Sequence, residues 1–177
     1  FARQSKAGQA AAGDVFLSQR SSSNSRIVCV LADGLGSGIK ANVLATLTAT
    51  MAIKYVSSDI EPQKAAEIIM ATLPVCSERK VGYSTFTIID ISLQRQVRII
   101  EYDNPPYLLL RGLEPITPEK TRFTVKTATT GVRELFCSEF EAKENDRIIF
   151  FSDGVTQSGM GSENMPLGWT SEKAGEF

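Results

Sequence analysis

The chain contains no histidine. That absence removes the Ser-His-Asp triad, phosphohistidine chemistry, the HExxH zinc site and imidazole acid-base catalysis from what its 177 residues can do on their own. Cysteine is scarce as well. Cys29, Cys76 and Cys137 are odd in number, lack CxxC spacing and lie in or near apolar segments, which reads as buried reduced thiols and not as a disulfide framework. None has an arginine six positions later, where Leu35, Gly82 and Lys143 stand, so a thiolate nucleophile with an arginine cradle is missing too. Neither sign of charge is in excess: 19 basic and 20 acidic residues leave a net charge of -1, and no Lys/Arg run could hold nucleic acid or anionic lipid. No apolar stretch reaches the ~18 residues that a membrane span needs, and no charged-then-apolar leader precedes Gly13, so a cytoplasmic domain is expected. The segment ADGLGSG spaces its glycines as GxGxG with no Lys-Ser/Thr after them. It matches neither the dinucleotide fingerprint nor the phosphate-binding loop, and Ser37 comes one position too late for a GxSxG elbow.

What is present points to a metal. Three acidic-glycine signatures, Gly13-Asp14, Asp33-Gly34 and Asp153-Gly154, lie far apart in the chain beside apolar runs. Asp-Gly is also a common turn dipeptide, so any one of them alone reads as a turn. As a set they read differently. Asp33 follows VCVLA and Asp153 follows IIFF, where a strand would end and a carboxylate would be partly desolvated. Three such groups brought together repel one another unless a divalent cation joins them, and carboxylate and carbonyl oxygens suit Mg²⁺ or Mn²⁺. Gly34 leaves room for a backbone carbonyl to approach an ion, and Gly36 and Gly38 let the chain turn sharply afterwards.

The hydrophobic pattern supplies a scaffold. With 42% hydrophobic residues, 177 residues suffice for one domain with its own core. The chain starts at Phe1 and stops in GWTSEKAGEF without a closing strand pattern, so residues 1–177 are expected to be a single domain truncated on its C-terminal side. GDVFLSQR and RIVCVLAD, joined by a serine-rich loop, predict a hairpin that sets Asp14 and Asp33 at one sheet edge. A long helix follows Gly38, with Ile39, Val43, Leu47, Met51 and Tyr55 at every fourth position, broadened by Leu44 and Ala45, as the face expected to pack on the sheet. A second helix is expected from about Pro62, turning Ala66, Ile69 and Leu73 inward and stopping at Pro74. From Tyr83 the period becomes two, through YSTFTIIDISL, QVRIIEY, YLLLRG, TRFTVKT, RELFCSEFEA and DRIIFFSD. About eight strands exceed the usual single small sheet of roughly 4–6, so an α+β sandwich of two packed sheets with outer helices is expected.

These motifs carry a resemblance. GDVF, ADGLGSG with a helix behind it, the YSTFTIIDIS strand, EYDNPPYLLLRG and FFSDGVTQS resemble, in order, the motifs of the metal-dependent serine/threonine protein phosphatases (PPM or type 2C), in their bacterial SpoIIE-like branch. The resemblance implies a four-layer α-β-β-α sandwich of two antiparallel sheets flanked by helices, with two Mn²⁺ or Mg²⁺ ions at one edge. Position by position, it implies that Asp33 bridges both ions, Gly34 ligates one through its carbonyl, Asp14 holds the first ion directly or through water, and Asp153 binds the second. Asp33 and Asp153 are then the catalytic carboxylates, and a hydroxide bridging the ions attacks phosphorus, so that no protein nucleophile is needed. The implied partner is a phosphorylated signalling protein, with anti-anti-sigma proteins as one kind. Two departures stand out: the family's last acidic pair is not in this sequence, and Asp103-Asn104 stands where the branch commonly has Ala-Gly-His/Asn before its prolines. The alternative is a phosphatase-like module that binds a regulatory partner without turnover.

Overall fold

The computed structural model describes residue 2, residues 11–21, 26–36, 38–73, 84–127, 131–171 and residue 173. Strands β1 (Asp14–Ser21) and β2 (Arg26–Gly34) form the expected hairpin, followed by helices α1 (Gly38–Ser57) and α2 (Pro62–Thr72). Then come β3 (Ser84–Ile91), β4 (Gln96–Tyr102), β5 (Leu108–Arg111), β6 (Glu114–Ile116), β7 (Lys120–Thr127), β8 (Gly131–Glu141), β9 (Asp146–Ile149) and the short helix α3 (Asp153–Thr156). Six strands make a large sheet in the order β1-β2-β3-β4-β8-β7, and three make a small one in the order β6-β5-β9. Every described strand pair is antiparallel. This is the expected α+β architecture of two antiparallel sheets with helices.

Period-two alternation splits each central strand between two cores. Val28, Val30 and Ala32 of β2 join Ile88 and Ile100 under the helices, while Ile89, Val97 and Ile99 meet Tyr107 and Leu109 between the sheets. The side of β2 that carries Cys29, Leu31 and Asp33 therefore faces the small sheet, where Phe16 and Phe150 pack with ring centroids 6.0 Å apart.

α1 corrects one expectation. Its buried residues are Ala41, Ala45, Thr48, Ala49, Ala52, Ile53 and Val56, whereas Ile39, Val43 and Leu47 are 71%, 58% and 42% exposed. A helix turns through about 100° per residue, so every-fourth positions drift about 40° at each step and cannot all face one sheet. The alanine row follows the 3.6-residue repeat. Only Met51 and Tyr55, at the far end of the drifting row, pack against the core. Alanines also let the helix lie close to β2: a Cβ at Gly34 would sit 2.0 Å from the Ala41 carbonyl oxygen.

α2 behaves as expected. Pro62 stands in its first turn, the Glu61 carboxylate caps it by accepting from the Lys64 amide at 3.3 Å, and Ala66, Ile69 and Leu73 are buried. Pro74, Cys76, Tyr83 and the serine-rich loop lie outside the described residues. Cys29 and Cys137 are half-buried free thiols, both pushed up in pKa by burial. Among the described residues, no helix is long and apolar enough to cross a membrane.

Candidate metal centre

The hairpin register places Asp14 opposite Asp33, as the sequence pattern anticipates. Directly opposed residues of an antiparallel pair project on the same side of the sheet, so both carboxylates stand on the face turned to the small sheet. The hairpin end is secured on both sides. The Gly34 amide donates to the Gly13 carbonyl at 3.2 Å, and Asn42 of α1 donates its side-chain amide to the Ala12 carbonyl at 2.8 Å. Across β3, the Ser84 hydroxyl donates to the Asp33 carbonyl at 3.0 Å.

Asp153 arrives from a different direction than the sequence suggested. β9 ends at Ile149, and Phe150 turns into the core between the sheets, so Asp153 opens α3 instead of ending a strand and is exposed. Its Oδ2 accepts from Gln157 Nε2 at 2.8 Å. The preceding residue, Ser152, is buried and donates its hydroxyl to Asp14 Oδ2 at 3.0 Å, a link across 138 positions that ties α3 to β1.

Asp33 is where the three acids meet. Burial first, then the charge and hydrogen bond of Asp14 and the charge and hydrogen bond of Asp153, push its pKa up to about 8. A carboxyl so placed is harder to ionise, and a cation beside it would relieve the same repulsion. The backbone adds another oxygen. The Gly34 carbonyl oxygen and Asp33 Oδ1 both border Gly13, 3.4 and 3.5 Å from where a Cβ on that glycine would stand, with the Ala41 methyl also at 3.4 Å. The donors are carboxylate and carbonyl oxygens, with neither histidine nor cysteine among them, and that set fits Mg²⁺ or Mn²⁺. Among the described residues, no three His, Cys, Asp or Glu side chains form a ready cage. Contact runs pairwise through Asp33.

Sequence reasoning singled out Asp14, Asp33, Gly34 and Asp153; the fold sets Asp33 beside Asp14 and beside Asp153, pair by pair. Asn104 stood out in the sequence only as part of a departure from the branch pattern, with no role assigned, and Ser152, Ser84 and Thr85 were missed. Asn104 accepts from the Thr85 hydroxyl at 2.5 Å and donates to Thr87 Oγ1 at 3.1 Å. For the strand, the available signal was Thr85 and Thr87 at alternate positions in a stretch otherwise rich in isoleucine.

The family model for stage II sporulation protein E (SpoIIE) matches residues 23–171. No curated protein matches the chain. Among solved structures, the PP2C phosphatase domain with a fragment of the regulatory domain of the cell fate determinant SpoIIE from Bacillus subtilis superposes with a TM-score of 0.74 at 21% identity, covering 99% of this chain and 50% of that one. The RsbU and RsbW domains of a Mycobacterium tuberculosis protein give 0.65 at 19% identity, covering 88% of this chain and 44% of that one. RsbX in complex with magnesium gives 0.67 at 19% identity, covering 98% and 81%. The chain thus spans half or less of the first two, and all three share its fold.

Proposed function

This chain belongs to the SpoIIE family, within the PP2C-type metal-dependent phosphatases, and from that premise we propose that it hydrolyses phosphoserine or phosphothreonine on a signalling protein. The observation that supports this most is Asp33 held against both Asp14 and Asp153 beside the Gly34 carbonyl. Asp14, Asp33 and Gly34 would hold one Mn²⁺ or Mg²⁺, and Asp33 with Asp153 would hold a second. Divalent cations bound there supply Lewis acidity for the attack of water on phosphorus.

The chain's own residues position the rest. Ser152 fixes Asp14 through its hydroxyl, so that carboxylate keeps one orientation, and Gln157 does the same for Asp153. In the reaction, the oxygen of water bonds to phosphorus, the ester bond to the serine or threonine oxygen breaks, and that oxygen takes a proton from solvent, since no histidine is present to give one. The partner is a phosphorylated signalling protein, with the anti-anti-sigma kind as the first to try. Turnover of a phosphoserine peptide is expected with Mn²⁺ and is expected to vanish in EDTA; activity that persists in EDTA would exclude the site.

That no three-ligand cage stands ready among the described residues favours a second reading, a phosphatase-like module that binds its partner without turnover. Calorimetry separates the two. Mn²⁺ binding that Asp33→Asn abolishes supports the enzyme, and its absence in the unaltered chain supports the module.

A further inference from the structure

The polar row that starts at Asp14 and Asp33 continues onto β3. Thr85 is the register partner of Asp33, so the two side chains stand side by side on the same face, with Cβ atoms about 4.5–5.5 Å apart. Past the end of β4, the backbone turns through Asp103 at φ 52°, and Asn104 folds back over β3. There its Oδ1 takes the Thr85 hydroxyl proton at 2.5 Å, while its Nδ2 donates to Thr87 Oγ1 at 3.1 Å. Thr87 is buried, so the second bond anchors the amide in one orientation.

A threonine hydroxyl has one proton and two acceptor lone pairs. With its proton committed to Asn104, Thr85 can offer Asp33 no hydrogen bond. A hydroxyl that donated to Asp33 would occupy a carboxylate lone pair and compete with a cation for it; one that only accepts adds no such competitor.

We propose that Asn104 is a positioning residue for the metal centre: by taking the single proton of Thr85, it keeps that hydroxyl an acceptor beside Asp33 and removes it as a donor that would compete with a divalent cation. The role rests on the reading of Asp14, Asp33, Gly34 and Asp153 as a Mn²⁺ or Mg²⁺ site. Loss of Asn104 frees the Thr85 proton to turn toward Asp33, so the damage acts through Thr85 and disappears when Thr85 has no hydroxyl.

The test is a double-mutant cycle read by calorimetric Mn²⁺ binding to this chain. Asn104→Ala is expected to weaken binding about 10-fold, the low end of what loss of a partner behind a ligand costs. Thr85→Val, which has no proton to misdirect, is expected to stay within about 3-fold of the unaltered chain, and adding Asn104→Ala to it to change little more. A merely structural Asn104 would instead weaken binding in both backgrounds, and that result overturns the proposal, as does unaltered binding by Asn104→Ala. If Asn104→Ala does not fold, Asn104→Ser, too short to reach both hydroxyls, carries the same comparison. Should the unaltered chain bind no Mn²⁺, the metal reading fails and this role with it; should it bind while the cycle shows no coupling, this role alone fails.

Discussion

The two ends of strand β2 carry carboxylates in opposite circumstances. At its start, Arg26 grips Asp90 of β3 through both its Nε and its Nη2, the latter at 2.5 Å, and reaches Asp59 in the turn between the helices at 3.0 Å. The bond with Asp90 is the main reason the Arg26 guanidinium is raised in pKa. At its end, Asp33 faces two further acids and is pushed up to about 8. One end is a latch in which charge is neutralised; at the other, the charges of Asp14 and Asp153 both bear on Asp33. Acidic groups crowded in that way cost stability, and a bound cation would offset the cost, as the proposed metal reading requires.

Substitutions at the two ends should therefore fail in different ways. Asp33→Asn is expected to have the largest effect, lowering Mn²⁺-dependent turnover of a phosphopeptide by more than about 100-fold, beyond the 10–100-fold that loss of a supporting partner costs, while leaving the chain folded. Asp14→Asn should cost less, and equal loss in both would break the assignment of Asp33 as the shared ligand. At the other end, Arg26→Ala should lower unfolding free energy by about 2–3 kcal/mol, somewhat below the range for a fully buried pair because both side chains keep some exposure. Its turnover per folded molecule should not change, and a denaturant titration beside an activity assay checks both halves.

The pH dependence sharpens the contrast. Asp33 has a folded pKa raised from 3.8 to about 8, so the folded state binds the extra proton between those values and the apo protein should lose stability as pH rises from about 4 to 8. Saturating Mn²⁺ should remove that slope and raise the melting temperature, and Asp33→Asn should flatten it without metal. Asp146 runs the other way. The Arg111 hydrogen bond holds it down to about 2, so its contribution is present above about 4 and is lost as pH falls toward 2. Melting curves across pH 2–9 would show both limbs, and a flat profile from pH 4 to 8 without metal would contradict the crowding of acids at Asp33. The smallest effect is expected on α1: Val43→Ser and Leu47→Gln should each shift stability by no more than about 0.5 kcal/mol, because these side chains face outward. A loss several times larger would restore the every-fourth-residue face as the packed one.

Much of the site was legible because it depends on short-range rules. Strand alternation and antiparallel hairpin pairing were enough to bring Asp14 opposite Asp33, and the structure has that register. The two-sheet α+β architecture followed from counting period-two segments, although β6 was missed, since three residues are too few to show a period. Asp153 was misplaced at a strand end because IIFF looks continuous, whereas Phe150 and Phe151 leave β9 to fill the interior.

By itself, the sequence determined the chemistry on offer: no histidine, three aspartates each beside a glycine whose oxygens suit a hard cation, and a hairpin that pairs two of them. Those features depend on residue type and on neighbours along one hairpin, which one chain states directly. Tertiary structure alone decided that α1 packs by its alanines, since burial follows the 3.6-residue repeat against a sheet whose position the helix sequence does not contain. It also decided that Ser152 holds Asp14 and that Asn104 holds Thr85, 138 and 19 positions apart. Such contacts exist only once two sheets and a turn have packed together, and no local period encodes that distance.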